Sequence, residues 1–161
     1  MEIVPKQTYP LKAVIEVREA DVDRATTALS AARRNEDKAA AAMDDARKAL
    51  SEFDDETKLQ RVRHNEMTAK GITVDEMLLA TAHFDKRKQV ASELADAIVT
   101  AKRALSAASK VTEAASKALA DARVELRVVE KHRETWREEQ RSEALAKAEL
   151  EQEDVFAGRR R

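Results

Sequence analysis

Three histidines, His64, His83 and His132, and a large supply of carboxylates are the side chains of this sequence that could do chemistry. Imidazoles and carboxylates hold a metal, or pass protons, when three or four of them converge in a pocket shielded from water. Their spacing here does not bring such a set together. His64 and His83 can come within a few turns of each other, but no third ligand stands beside them. There is no cysteine, hence no thiolate site and no disulfide. No glycine-rich phosphate loop occurs, and no strand to carry one. The expectation is three solvated histidines, no catalytic residue, no metal and no cofactor: a protein that is not an enzyme.

The elements that carry these side chains explain the lack of a pocket. Of 161 residues, 38% are charged, two are glycine and two are proline, and 31 of the apolar residues are alanine. So few large apolar side chains cannot fill a thick core, and Ala, Glu, Lys, Arg and Leu at this density point to long helices. Basic and acidic residues number 30 and 31 and are interspersed, so no net field selects nucleic acid or a membrane surface. No apolar run is long enough to span a bilayer, and "MEIVPKQTYP" lacks the apolar centre of a signal peptide, so a cytoplasmic protein is expected.

Heptad periodicity is the strongest pattern. One line reads Ile15, Val22, Leu29, Glu36, Met43, Leu50, Thr57, with Arg18, Ala25, Ala32, Ala39, Ala46, Phe53 and Gln60 three residues after each. A second reads Met77, Phe84, Ala91, Ile98, Leu105, Thr112, Leu119, Leu126, accompanied by Ala80, Arg87, Leu94, Ala101, Ala108, Ala115, Ala122, Val129 and Trp136. Each is the narrow stripe of a two-helix seam. Between them, in "AKGITVDEM", Gly71 suits the left-handed position that ends a helix. Thr73 and Glu76 have the spacing of a capping box, flanked by Ile72 and Met77 at the staple positions. So short a connection makes the helices antiparallel neighbours.

The fold expected is therefore all-α: a single long antiparallel two-helix coiled-coil hairpin over residues 1–161. Helix 1 is placed at about 10–70, the turn at about 71–73 and helix 2 at about 74–155. With residue i facing residue 144 − i, Met43 meets Ala101, Ala46 meets Ile98, Phe53 meets Ala91, Leu29 meets Ala115 and Ala25 meets Leu119. Large against small lets the helices approach closely. Tyr9 faces Thr135, so the chain beyond Trp136 is an unpaired C-terminal helical overhang.

Some positions leave two readings open. Arg18, Glu36 and Arg87 fall on the seam, where they either carry their charges out to water along their stems or fix the register. Leu59, Val62, Leu78 and Leu79 fall off it, near the turn, and either rotate inward or form an exposed patch that contacts a protein. Trp136 either closes the seam over Tyr9, Pro10 and Leu11 or anchors a partner. The Arg159–Arg161 tail reads as a solvated end.

The two ends of the sequence resemble the YscO-type proteins of type III secretion, relatives of the flagellar export protein FliJ. "YPLKAVIEVREADVDRA" (9–25) and "HRETWREEQRSEALAKAELEQED" (132–154) carry the likeness. It implies a helical hairpin that enters the pore of the hexameric secretion ATPase with the end bearing both termini, and regulates it. It also implies reach toward the export gate protein, escort of secretion chaperones, and a place at the cytosolic face of the apparatus. Carried onto these residues, the ATPase-contact candidates are Tyr9, Leu11, Arg18, Glu134, Trp136, Arg137 and Glu138. Leu59, Val62, Leu78 and Leu79 become candidates for the gate contact. The chain alone is expected to be monomeric. A structural coiled-coil adaptor with no ATPase partner is the alternative.

Overall fold

The computed structural model describes residues 8–158. Two helices account for nearly all of them, α1 (Lys12–Lys70) and α2 (Val74–Gly158), paired as an all-α hairpin. Helix α1 starts two residues after Pro10, which lies in a turn closed by a bond from the Lys12 amide to the Tyr9 carbonyl, 3.2 Å. It ends at Gly71, whose φ of 98° only glycine adopts without strain. There the Gly71 amide bonds the Thr68 carbonyl at 3.1 Å, one of the two bonds of a Schellman ending.

The capping box at the start of α2 forms as its spacing requires. The Thr73 amide donates to Glu76 Oε2 at 2.7 Å, and the Glu76 amide donates to Thr73 Oγ1 at 3.3 Å. The bond from the Thr73 amide, then that from its hydroxyl, holds the Glu76 carboxyl below its ordinary range. A depressed carboxylate stabilises the fold above its unfolded value, so this contribution is lost as the pH falls through the lowered one.

The chain divides into two units. The terminal unit holds the residues up to Leu29 and those from Ala115; the turn unit is Ser30–Ala114. Within the terminal unit Ile15, Leu29 and Leu119 are buried and Val22, Ala25, Ala115, Ala122, Leu126 and Val129 half-buried. Within the turn unit Ala32 is buried, and Met43, Ala46, Phe53, Ala91, Ile98 and Ala101 are half-buried. Both heptad lines thus face inward, with one exception. Met77 is exposed, as is Met67, its partner in the 144 − i register; the seam of α2 begins one turn later, at Ala80.

Of the two readings open for Arg87, its charge is not carried out to water: the side chain is 12% exposed. The guanidinium lies over the Phe53 ring, 4.1 Å from its centroid. Its Nε donates to Thr57 Oγ1 at 2.7 Å, and Nη2 donates to the Phe53 carbonyl and to Glu56 Oε2, each at 3.2 Å. The Thr57–Arg87 bond falls on the register read from the sequence. That register predicts that cysteines replacing Met43 and Ala101 crosslink within one chain on oxidation; denaturing gels showing dimers in place of a monomeric species would contradict it.

Candidate interaction surfaces

At the end bearing the termini, Tyr9 is the residue that α2 captures. Its ring meets Trp136 edge-on at 5.5 Å between centroids. Its hydroxyl lies 2.8 Å from His132 Nδ1 and 3.5 Å from the Val129 carbonyl oxygen. His132 and Trp136 share one helix face, four residues apart, and they straddle Thr135, the residue set opposite Tyr9 by the register. Leu11 is exposed, and so are Glu134, Arg137 and Glu138, which form no ion pair among the described residues. Arg18 differs: it is committed to Glu125 at 2.6 Å and Asp21 at 3.3 Å, with its side chain still 39% exposed. Asp21 is held below the ordinary carboxylate range, first by its hydrogen bond to Arg24, against the opposing effect of burial, and then by Arg18.

Continuous exposure of α2 begins at Arg141, one turn beyond Trp136, because Gln140 is still half-buried. From Arg141 to Val155 every residue is exposed.

Near the turn, Leu59, Val62, Leu78 and Leu79 all face outward, Leu78 at 64% and Leu79 at 71% exposure. The inward rotation considered above does not occur. Met67, Val74 and Met77 are exposed as well. Met67 and Leu79 help line an open groove of about 380 Å³, together with Gln60, Arg63, His64, Ala80, His83 and Phe84. Phe84 organises its wall. His64 and His83 meet its ring edge-on at 5.7 and 5.5 Å, and Arg61 stands over it at 5.5 Å.

His83 and His132 are exposed, as expected, although His83 Nε2 is 2.8 Å from Gln60 Oε1 and His132 Nδ1 is 2.8 Å from the Tyr9 hydroxyl. Only His64, which is half-buried, departs from the expectation of solvated histidines. These partners are distant in sequence, and such contacts leave no mark in local spacing. Among the described residues, no three His, Cys, Asp or Glu side chains gather as a metal site. Nor is any described helix long and apolar enough to cross a membrane.

These features define a helical hairpin with an aromatic clasp at one end, an apolar groove near the turn and a bare helical extension. The chain belongs to the YscO-like family, whose profile, described as YscO-like protein, matches residues 6–157. It is thereby a type III secretion-related protein. In fold it is similar to CT670 of Chlamydia trachomatis, described as a YscO homolog, with a TM-score of 0.81, 24% identity and coverage of 92% of each chain. Among curated proteins no sequence matches.

Proposed function

We infer that this protein is a non-enzymatic stalk component of a type III secretion system. It binds and regulates the hexameric export ATPase through the end bearing Tyr9 and Trp136, and it contacts the export gate through the apolar surface at the turn. Secretion chaperones are further partners, and it works at the cytosolic face of the apparatus. The observation that carries this reading is the family match over residues 6–157.

The geometry supports it. Glu134, Arg137 and Glu138 flank the Tyr9–Trp136 clasp without ion-pair partners among the described residues, so they remain available to another protein. Exposed charges of mixed sign make weak, salt-screened contacts, which suit a protein that must engage similar ATPase subunits in turn. Leu11 and Arg18 lie in the same unit, although Arg18 is partly engaged by Glu125.

The test is co-purification with the ATPase and the gate protein, with ATPase stimulation measured alongside. Arg137→Glu with Glu134→Arg is expected to reduce stimulation about tenfold and alter its salt dependence without changing the melting temperature. Leu78→Ser with Leu79→Ser is expected to weaken gate binding and leave helicity and ATPase stimulation intact, since both side chains are exposed. Failure of the wild-type chain to capture or stimulate the ATPase would favour the structural adaptor.

A further inference from the structure

The exposed stretch of α2 has a pattern of its own. Continued past Gln140, the seam line meets Glu143, Lys147, Leu150 and Asp154, so it no longer offers an apolar stripe. Leu150 stays on that line and Ala146 lies elsewhere, but at about 100° per residue Ala144, Leu145, Ala148 and Val155 fall within one stripe roughly 100° wide, which Arg141 and Gln152 share and Glu149 and Glu151 border. A shallow depression of about 340 Å³ opens on that stripe, lined by Ala148, Glu151, Gln152 and Val155. Over residues 141–155 five carboxylates outnumber two cations. This segment is an acidic helix with one partly apolar face that is exposed.

The groove near the turn is its complement. Met67, Leu79, Ala80 and Phe84 give it apolar walls, Arg63 and two imidazoles line it, and no carboxylate does. Arg61 adds a second guanidinium over Phe84. Two nearby carboxylates are engaged elsewhere: Glu76 with Thr73 and Asp85 with Lys88.

We propose that the groove near the turn of one copy binds the acidic 141–155 helix of a second copy. Charge selects this pairing. Groove against groove would oppose arginines, and helix against helix would oppose carboxylates, whereas groove against helix unites the two uncovered apolar surfaces with opposite charges. Such a heterologous contact uses different patches on the two copies, so two copies can close it reciprocally or further copies can add to an open chain. This contact does not depend on the ATPase reading. It would hold free copies by both of the surfaces involved.

Sedimentation velocity of the full chain tests the proposal. In low salt the weight-average mass should rise with concentration to that of a dimer or beyond, and in high salt it should return to the monomer. Arg63→Gln with Leu79→Ser spoils the groove; Glu149→Gln with Leu145→Ser spoils the helix. Each double variant should weaken association at least about tenfold while circular dichroism shows unchanged helicity. Mixed in equal amounts they should form a complex that stops at the dimer, because one supplies an intact groove and the other an intact helix. A wild-type chain that stays monomeric in low salt overturns the proposal. So does self-association that survives in either double variant, or a mixture that forms no dimer, and either result would leave the groove and the helix to other proteins.

Discussion

Replacing Arg87 with alanine should destabilise the hairpin by about 2–3 kcal/mol, since hydrogen bonds made by charged groups contribute ~1.5–3 kcal/mol each and recovered side-chain entropy returns part of that. Three bonds are lost together, to Thr57, the Phe53 carbonyl and Glu56. The stacking on Phe53 goes as well, worth ~0.5–2 kcal/mol for a cation over an aromatic face. Glu56 contributes least, because it is exposed and its ion pair is screened. Arg87→Met separates packing from charge. It keeps an unbranched stem over Phe53 and removes the desolvated guanidinium, so it should cost about 1 kcal/mol or less, as expected when an apolar side chain replaces a buried ion. Urea unfolding followed by circular dichroism reads both. Equal losses in the two variants would mean that the guanidinium's bonds and its stacking carry the effect and the packing of the stem does not. Losses below ~0.5 kcal/mol in both would reduce Arg87 to an ordinary surface residue.

What the sequence disclosed, and what it hid, divides along the range of the interactions. Heptad spacing revealed which side of each helix turns inward, because that depends only on the helical repeat; Ile15, Leu29, Ala32 and Leu119 follow it into the core. Gly71 and the Thr73–Glu76 box were equally legible, since a helix end is decided by a few neighbouring residues. Arg87 was placed on the seam, but its direction was not, because that depends on an aromatic ring and a hydroxyl 30 or more residues away. His64, half-buried against Phe84, was hidden for the same reason.

The groove shows a further limit. Phe84 and Ala80 could be read as seam positions, yet nothing local indicated that the seam would open at Met67 and Met77 and leave Phe84 accessible between two imidazoles. Helix ends lose packing partners on one side, so a periodic pattern overstates burial in their last turns. Leu59, Val62, Leu78 and Leu79 are exposed off the seam because their positions are wrong for the repeat whatever the turn does.

Trp136→Ala should unfasten the start of α1 without melting the hairpin. The ring is half-buried, so its loss should cost clearly less than the ~3–5 kcal/mol of a fully buried aromatic. An edge-to-face pair is worth ~0.5–1.5 kcal/mol beyond its area, and a total near 2 kcal/mol follows. The damage should be local. Tyr9 keeps its hydroxyl beside His132 but loses the ring that packs against its own, so amide exchange should quicken from Lys12 to Ile15 and stay slow around Leu29 and Leu119. Because the chain has one tryptophan and one tyrosine, fluorescence reports the clasp directly. Tyr9→Ala should shift Trp136 emission to the red as water reaches its face, and Trp136→Ala should unmask tyrosine emission otherwise drained into the indole. Tyr9→Phe removes only the hydroxyl and should cost ~0.5–1.5 kcal/mol, the net worth of one hydrogen bond. The proposed ATPase contact predicts one effect more: stimulation should fall in Trp136→Ala at temperatures where the variant is fully folded, and adding ATPase to the wild type should shift or quench the indole. If emission ignores both Tyr9→Ala and the ATPase, the clasp is neither a closure nor a contact. If it answers to Tyr9 alone, Trp136 closes its own hairpin and the partner binds elsewhere.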